Sequence, residues 1–586
     1  MSSVVCPMRG YGVFSIVSVK VSVGVVIVAL MAGPAFAGSS AGSSAGSGSA
    51  VAGSALVAKK KPGKGTLSVR VTGSGSYTVT GNGIRKTGTA SKSFKVKPGT
   101  YVVKAPGGSV KPGKIKVRKG KTMRVTVTFD SVPGTPPAPT PPVTPTPSPT
   151  ATETPTPPPT NQPEVVQRVS TDATGAQAND DSFGQIWSPD GAQVAFASDA
   201  SNLVSGDTNG TSDVFVKTLA TGAVQRVSTD ASGTQTNEGS LGSFGLAWSP
   251  DGTRIAFASF ASNLVPADTN GDVDLFVKTL ATGAVQRITT DANGAQANPS
   301  WPGPEWFLDT PVWSPDGTRV AFSSWASNLV PGDTNDRLDV FVKTLATGAI
   351  QRVSTDAASA QANHGSYTPV WSPDGTRIAF TSDATNLVVG DTNAKSDVFV
   401  KTLAGGAIQR VSTDAAGGQA QGHSDSAAWS PDSSRLAFES RASNLVPGDT
   451  NDTRDVFVKT LATGAIQRVS TDAAGAQASD SSDADRYGPS TGPAWSPDGT
   501  RIAFSSWASN LVPGDNNDRL DVFVKTLATA AIQRVSTDAA GAQANDGSWS
   551  PVWSPDSTRI AFQSNASNLV PEDNNNSLDV FVKTLR

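Results

Sequence analysis

The tetrapeptide Trp-Ser-Pro-Asp recurs seven times, beginning at Trp187, Trp248, Trp313, Trp371, Trp429, Trp495 and Trp553, at spacings of 58 to 66 residues. Each copy lies in a longer unit that reads W-S-P-D-G-T-R-I-A-F, then S-N-L-V-P-G-D-T-N, then D-V-F-V-K-T-L-A-T-G-A-I-Q-R-V-S-T-D, with small variations. A repeat at this period describes one supersecondary unit copied side by side, each hiding its apolar surface against its neighbours. A chain of 586 residues is too long for one ordinary core.

Each unit predicts four strands. Trp-Ser ends the first. Ser-Pro-Asp-Gly then turns the chain, because Pro presets φ, Asp caps and Gly closes. Arg-Ile-Ala-Phe, as in Arg254 to Phe257, is the second. Asp213 to Leu219 and its copies form the third, with Val214, Val216 and Thr218 alternating against Phe215 and Lys217. Ala-Thr-Gly leads into the fourth, Ala-Ile-Gln-Arg-Val-Ser. Four antiparallel strands per unit, with no helical period, describe a propeller blade. The Trp residues read as packing between blades and the Asp of each phrase as a turn residue.

The ends of the repeat region complement each other. Val165 to Ser170 is a fourth strand with no first three, and Asp579 to Leu585 is a third strand with no fourth. The first segment completes the last blade and leaves no raw sheet edge. The expected fold is therefore all-β: a seven-bladed β-propeller over 164–586 with three-plus-one ring closure.

The W-S-P-D-G-x-R-I-A-F phrase resembles the WD40-like Pro-Asp repeat of TolB-type propellers. The resemblance spans the whole repeat region and implies a propeller in an exported protein. It departs from that family in blade number, seven units against six. The chain also has a β module in front where that family has an α/β domain.

Upstream, residues 1–37 read as a signal peptide. Arg9 and Lys20 give a positive flank, Val21 to Ala32 an apolar run, and Ala35-Phe36-Ala37 a small-residue cleavage site. Residues 38–65 form a Gly/Ser/Lys-rich linker, and 131–163 alternate Pro and Thr as a semi-rigid spacer. Between them, 66–130 show short alternating strands, a small antiparallel β-sandwich-like module. Its segment Phe94 to Val103 resembles the strand-turn-strand of PEGA domains. Residues 58–130 carry 18 Lys and Arg against the single acid Asp130, whereas the chain beyond 130 is strongly acidic. A basic module of this kind, with Lys59 to Lys61 and the Lys111 to Arg124 cluster, suits an anionic envelope polymer or lipid headgroups. An exported protein excludes nucleic acid as the partner. The competing reading is that the lysines simply solvate a sheet edge.

Cysteine occurs once, at Cys6, and histidine twice, at His364 and His423. That excludes an internal disulfide, a Cys-based site and a repeated His-based metal site. Between the second and third strands each unit carries D-x-N-x-x-x-D, with three oxygen-bearing side chains at Asp207/Asn209/Asp213, Asp268/Asn270/Asp274, Asp333/Asn335/Asp339, Asp391/Asn393/Asp397, Asp449/Asn451/Asp455, Asp515/Asn517/Asp521 and Asp573/Asn575/Asp579. Such spacing converges oxygens as calcium requires, and it resembles the calcium loops of integrin-type blades. Asp268/Asn270/Asp272/Asp274 is the best copy. The departure is a displaced third acid, with Arg337, Lys395 and Arg519 at the intervening position of three copies. The competing reading is that Asp and Asn bond nearby amides and shape a turn. No cofactor is required on either reading.

Where the units differ, they differ between the fourth strand and the next first strand. One insertion holds Trp301, Trp306, Phe307 and Asp309, with Glu305 among them; another holds Asp485, Arg486 and Tyr487. Trp325 and Trp507 follow the second strand in their units. In alternating antiparallel blades these loops share a face with the D-x-N loops. That face is the expected site for a protein or glycan ligand, since repeat proteins bind through the face that varies. Loop variation without a ligand is the plain alternative.

The favoured reading is an exported, non-catalytic, monomeric binding scaffold, extracellular, cell-surface or periplasmic. G-x-S-x-G occurs at 38–42, 42–46 and 488–492, but with no helical pattern to make the strand-to-helix turn of a nucleophile elbow. There is no second domain for a peptidase, and no S-x-D-x-G-x-T-W boxes. A polysaccharide lyase or glycosidase using face carboxylates such as Glu305 and Asp309, or a Tol-like assembly protein, are the alternatives.

Overall fold

The computed structural model describes residues 65–128, apart from 73–76, 82–83, 89–91, 105–108, 112–113 and 118–121, and residues 164–585, apart from 242–244, 299–310, 481 and 483–491. The expected signal peptide and both linkers lie outside these residues. The chain divides into two compact units, 1–152 and 153–586, each taken by itself.

The first unit holds two four-stranded sheets. One combines Lys92–Val96, Gly65–Thr72, Thr122–Thr128 and Ser109–Lys111; the other combines Ile84–Gly88, Tyr77–Gly81, Gly99–Lys104 and Lys114–Val117. Alternation puts Leu67, Val69, Val125 and Val127 of one sheet and Val79, Tyr101, Val103, Ile115 and Val117 of the other into a single core. The Tyr101 hydroxyl donates to the Lys97 carbonyl at 2.7 Å, so its polar end is satisfied. The wholly antiparallel arrangement expected from sequence is corrected at one pair. Gly65–Thr72 and Thr122–Thr128 run parallel, Thr66 opposite Thr122 through Thr72 opposite Thr128. A parallel pair needs a long crossover, and the rest of the module supplies it.

The second unit contains seven sheets. In the first, Ser182–Trp187, Gln193–Ser198, Asp213–Thr218 and Val224–Arg226 are hydrogen-bonded in sequence order. The others follow suit, except that the first strand of sheet 2 is split into Ser240–Leu241 and Ala247–Trp248, and those of sheets 3 and 6 shrink to Val312–Trp313 and Ala494–Trp495. The seventh sheet takes its fourth strand from the opposite end of the unit. Val166–Arg168 pairs with Asp579–Thr584, Arg168 opposite Phe581 and Val166 opposite Lys583. The amide of Val169 extends the pairing to the Val580 carbonyl at 2.7 Å.

The seven sheets close into a ring. Each first strand contacts the first strands of both neighbouring sheets, and the last contacts the first. These strands therefore surround the axis. The residue before each Trp (Ile186, Ala247, Val312, Val370, Ala428, Ala494, Val552) is half-buried on this inner edge. Third strands such as Asp213–Thr218 are buried along nearly their whole length, because each sheet is covered on both faces. Inside each sheet two phenylalanines face each other, as Phe196 and Phe215 do at 6.0 Å between ring centroids.

Three contacts recur at the junctions between sheets. The indole N–H of Trp371 donates to the Val312 carbonyl of the preceding sheet at 3.1 Å, and five of the other phrase tryptophans do likewise. The second-strand arginine lies over the tryptophan of the next sheet, Arg319 over Trp371 at 4.4 Å, and donates to the turn beside it, Arg254 to the Gly317 carbonyl at 2.8 Å. The third-strand lysine is buried and reaches the loop that follows the preceding sheet's fourth strand. Lys401 Nζ donates to the Thr355 carbonyl at 2.8 Å, the Thr355 hydroxyl at 3.0 Å and the Asp356 carbonyl at 2.7 Å. An ammonium has three protons, so all are used.

Candidate ligand-binding face

The loops joining second to third strands meet the connections from fourth strand to next first strand at one end of the ring. Asp207 of the former accepts from Gln235 of the latter at 2.9 Å, and Asn209 donates to the Thr236 carbonyl at 3.0 Å. These two kinds of loop are thus at the same end, as the alternation of strands requires.

The expected calcium loops are built around a guanidinium. In sheet 3 the fourth-strand Arg352 places Nη1 3.1 Å from Asp333 Oδ1 and 3.4 Å from Asp339 Oδ2. Gln361 donates to both acids, at 2.8 and 3.3 Å, and Asn335 turns its amide N–H, not its oxygen, to Asp339 at 3.1 Å. The Ser354 hydroxyl donates to the remaining Asp339 oxygen. The carboxylates are surrounded by donors, whereas calcium needs converging acceptors. An arginine bridges the paired acids in all seven sheets: Arg168, Arg226, Arg287, Arg352, Arg410, Arg468 and Arg534.

The asparagines of the other six loops are turned in the same way. Asn209, Asn270, Asn393, Asn451, Asn517 and Asn575 each donate an amide N–H to the inner acid of their own loop (Asp213, Asp274, Asp397, Asp455, Asp521 and Asp579) at 3.2 to 3.5 Å. Their oxygens accept from the backbone N–H two positions on, as Asn517 does from Arg519 at 3.0 Å and Asn270 from Asp272 at 3.2 Å. An oxygen committed to its own turn is not aimed at an ion, so these residues follow the turn-shaping reading. Asp272 of the best sequence candidate supplies no fourth ligand: its Oδ1 accepts from the Val273 amide at 2.8 Å. Among the described residues no group of three or more His, Cys, Asp or Glu side chains is placed to hold a metal ion. Burial pushes the inner acids Asp274, Asp339, Asp397, Asp521 and Asp579 up to about 6 against the pull of the neighbouring hydroxyl.

Of the expected ligand face, Trp301, Trp306, Phe307, Asp309, Asp485, Arg486 and Tyr487 lie outside the described residues. Trp325 and Trp507 are described, and both are half-buried at the loop end. They belong to a wider set. The residue after the second strand is Asp199, Phe260, Trp325, Asp383, Arg441, Trp507 and Asn565 around the ring; the second residue of the first strand is Phe183, Leu241, Tyr367, Asp425 and Trp549 in sheets 1, 2, 4, 5 and 7. Six sheets therefore each place one half-buried aromatic here: Phe183, Phe260, Trp325, Tyr367, Trp507 and Trp549. In sheets 1, 4, 5 and 7 the first strand bulges just after this position. Gly184, Thr368, Ser426 and Ser550 take positive φ there, 68°, 50°, 54° and 56°. Such a φ is costly for a β-branched residue like Thr368, and bulges re-aim neighbouring side chains.

Sheet 5 replaces the aromatic with ions. Asp425 and Glu439 sit directly opposite each other across two strands, and Arg454 holds both, at 2.6 and 3.2 Å. Beside them, sheet 4 gathers polar groups around Asp383. The Ser396 hydroxyl donates to Asp383 Oδ1 at 2.5 Å and the Tyr367 hydroxyl lies 3.3 Å from the same oxygen. His364 Nδ1 is 3.6 Å from Asp383 Oδ2, and His423 Nδ1 lies 3.0 Å from the Ser396 hydroxyl. Both histidines of the chain thus converge on one Asp–Ser pair, which the sequence, placing them 59 positions apart with no motif between, did not announce.

This group is not a nucleophilic relay. The backbone N–H of Ser396 donates to His423 Nδ1 at 3.1 Å, so Nδ1 is an acceptor and the ring proton sits on Nε2. The serine proton is held by the carboxylate. No lone pair of the imidazole is left to take it. Burial, with Lys395 nearby, lowers the His423 pKa and keeps the ring neutral; burial and Asp383 raise that of Tyr367.

No family model matches the sequence, and no curated protein does. Several solved structures resemble the chain at low TM-scores. An oligogalacturonate lyase in complex with manganese is 16% identical, covers 72% of this chain and 97% of its own, and gives a TM-score of 0.43. The oligogalacturonate lyase of Vibrio parahaemolyticus is 14% identical over 72% of this chain and 93% of its own, at 0.44. A putative TolB from Agrobacterium tumefaciens is 17% identical over 49% and 80%, at 0.30. At these identities and TM-scores the likeness carries no argument about ligand, metal or activity.

Proposed function

We propose that this chain is an exported, non-catalytic binding protein whose loop face engages a glycan. The observation that supports this reading most directly is the set of half-exposed aromatics contributed by six sheets to one end of the ring. Large flat side chains with a polar rim suit the C–H faces and hydroxyls of pyranose rings. The variable residues are concentrated at this end, while the opposite end repeats one turn sequence seven times. The basic module at 66–130 would hold an anionic envelope polymer or lipid headgroups. Among the described residues no helix is long and apolar enough to cross a membrane.

The test is a glycan and peptide array with the purified full chain, followed by calorimetry on the best ligand. Trp549→Ala and Trp325→Ala should each weaken binding by about 1–2 kcal/mol, the scale for losing a well-packed aromatic contact. Appearance of an unsaturated product during incubation with saccharides would replace this reading with a lyase. Capture of envelope proteins alone would replace it with a Tol-like assembly role.

A further inference from the structure

Sheets 4 and 5 bring an open acceptor and an open donor together at the loop end of the ring. Asp383 Oδ1 is held by the Ser396 hydroxyl at 2.5 Å and the Tyr367 hydroxyl at 3.3 Å. Its other oxygen, Oδ2, accepts no hydrogen bond among the described residues. His364 Nδ1 stands 3.6 Å from it, and the Asp383 side chain is 35% exposed. The acids of sheet 5 differ, since Asp425 and Glu439 are both taken up by Arg454. The donor is His423, whose ring is exposed. Its Nδ1 accepts from the Ser396 amide at 3.1 Å and lies 3.0 Å from the Ser396 hydroxyl, so the ring proton is on Nε2, the outer nitrogen. Ser396 Oγ therefore contacts both Asp383 and His423 and holds them side by side. Both groups are fixed from behind, which lowers the ordering cost of meeting a ligand.

A ligand for this pair must give a proton to a carboxylate and take one from an N–H. A hydroxyl does both. A carboxylate cannot give a proton and meets like charge at Asp383. An ammonium gives one but accepts nothing from His423. We infer that this sector is a subsite for a neutral sugar unit, with Asp383 Oδ2 accepting from a ring hydroxyl and His423 Nε2–H donating to the same hydroxyl or its neighbour. The inference rests on the glycan reading above and assigns the polar side of that site. Six sheets place an aromatic at the mouth, and sheet 5 has ions there instead. The aromatics suit the C–H face of a sugar, and the gap between Tyr367 and the ions is where its hydroxyl edge is read. The bond to Asp383 is the strong one, because hydrogen bonds to an ionised partner are roughly twice as strong as neutral ones.

The experiment is calorimetry on the full chain with neutral hexasaccharides (cellohexaose, mannohexaose and xylohexaose), an acidic one (hexagalacturonate) and a cationic one (the glucosamine hexamer). A neutral probe should bind tightest. Asp383→Asn keeps the side chain's shape and removes its charge, and it should weaken that probe at least about tenfold, the loss of one hydrogen bond to a charged group. His423→Phe should weaken it less, the partner lost there being neutral, and melting temperatures show that both variants fold. Affinity for the neutral probe unchanged in Asp383→Asn would overturn the subsite while leaving the glycan reading intact. Tightest binding of hexagalacturonate would also overturn it, since an acid cannot use Oδ2. Tightest binding of the glucosamine hexamer, abolished by Asp383→Asn, would reassign the open oxygen to an amine. Binding of none of the saccharides would overturn both readings.

Discussion

The Arg559 guanidinium lies 4.5 Å above the ring of Trp187, joining residues 372 positions apart and sealing the last sheet to the first. The Trp187 indole returns the contact by donating to the Val552 carbonyl at 3.1 Å, and Arg559 Nη2 reaches the Gly191 carbonyl at 2.9 Å. The closing junction therefore uses the same contacts as the interior ones. That follows from the strand supplied by Val166–Arg168, which makes the seventh sheet complete.

One junction lacks this arrangement. Sheet 1 carries Gln193 where the other six carry arginine, and Trp248, the tryptophan it should cover, has an indole N–H without a partner among the described residues. Gln193→Arg should therefore stabilise the ring by about 0.5–2 kcal/mol, the range for a cation over an aromatic ring from exposed to desolvated sites. Arg559→Gln should cost a similar amount. Guanidinium chloride unfolding of both variants checks this; no gain from Gln193→Arg would mean the seam is set by something else.

The buried lysines carry a larger effect. Lys401→Met keeps the stem's packing but strips donors from the Thr355 carbonyl, the Thr355 hydroxyl and the Asp356 carbonyl. Leaving buried acceptors unpaired costs about 1–3 kcal/mol. The variant should lose about that much stability, measured by urea unfolding, and the Asp356–Gln361 hairpin should exchange its amide hydrogens faster. A loss below the error of the fit would show that water replaces the ammonium without penalty.

Much of this architecture was legible in the sequence. The W-S-P-D spacing, the alternating third strand and the leftover strands at the two ends led to seven sheets and to the partner of Val166–Arg168. Three things were not. Lys217 and its copies read as one more polar residue on a strand, because alternation says nothing about what lies across a junction. Asp333 and Asp339 read as metal ligands, because the guanidinium that sits between them comes from Arg352, in the fourth strand, and only the folded register brings it there. Asp383, Ser396 and His423 have no common motif; they meet because they end or begin strands at the same end of two adjacent sheets. Trp549 and Tyr367 lie one residue inside their first strands, a position whose variability is visible only once the bulged register aligns the copies.

The pH dependence of stability has two arms of opposite sign. Asp274, Asp339, Asp397, Asp521 and Asp579 are pushed up to about 6 by burial. A carboxyl raised in the folded state favours folding at low pH, and that advantage is lost as pH climbs from about 4 through 6. The turn acids Asp251, Asp432, Asp498 and Asp556 are held near about 2; Asp251 and Asp432 by the hydroxyls of Ser249 and Ser430, Asp498 and Asp556 by Ser496 and Ser554 against the opposing effect of burial. Their contribution is present above about 4 and disappears as pH falls toward 2. Melting temperature should therefore peak between about pH 4 and 5, not at neutrality. A steady decline from pH 7 to 4 would show that the arginines keep the inner acids ionised throughout.

The same arginines decide the response to calcium. With Arg352 bridging Asp333 and Asp339, the pair already has its cation, so calcium and a chelator should leave the melting curve of the native chain unchanged. A site occupied at a hundred times its dissociation constant would add about 2.7 kcal/mol, easily seen. Arg352→Ser should behave differently. It leaves two buried acids facing each other without a countercharge, a loss of about 3–5 kcal/mol by the precedent of broken buried pairs, and opens a space flanked by their oxygens and the reorientable amide of Asn335. Calcium should recover part of that loss in the variant alone. Stabilisation of the native chain by calcium would instead mean that Arg352 swings aside, and the loops would regain the role their spacing first suggested.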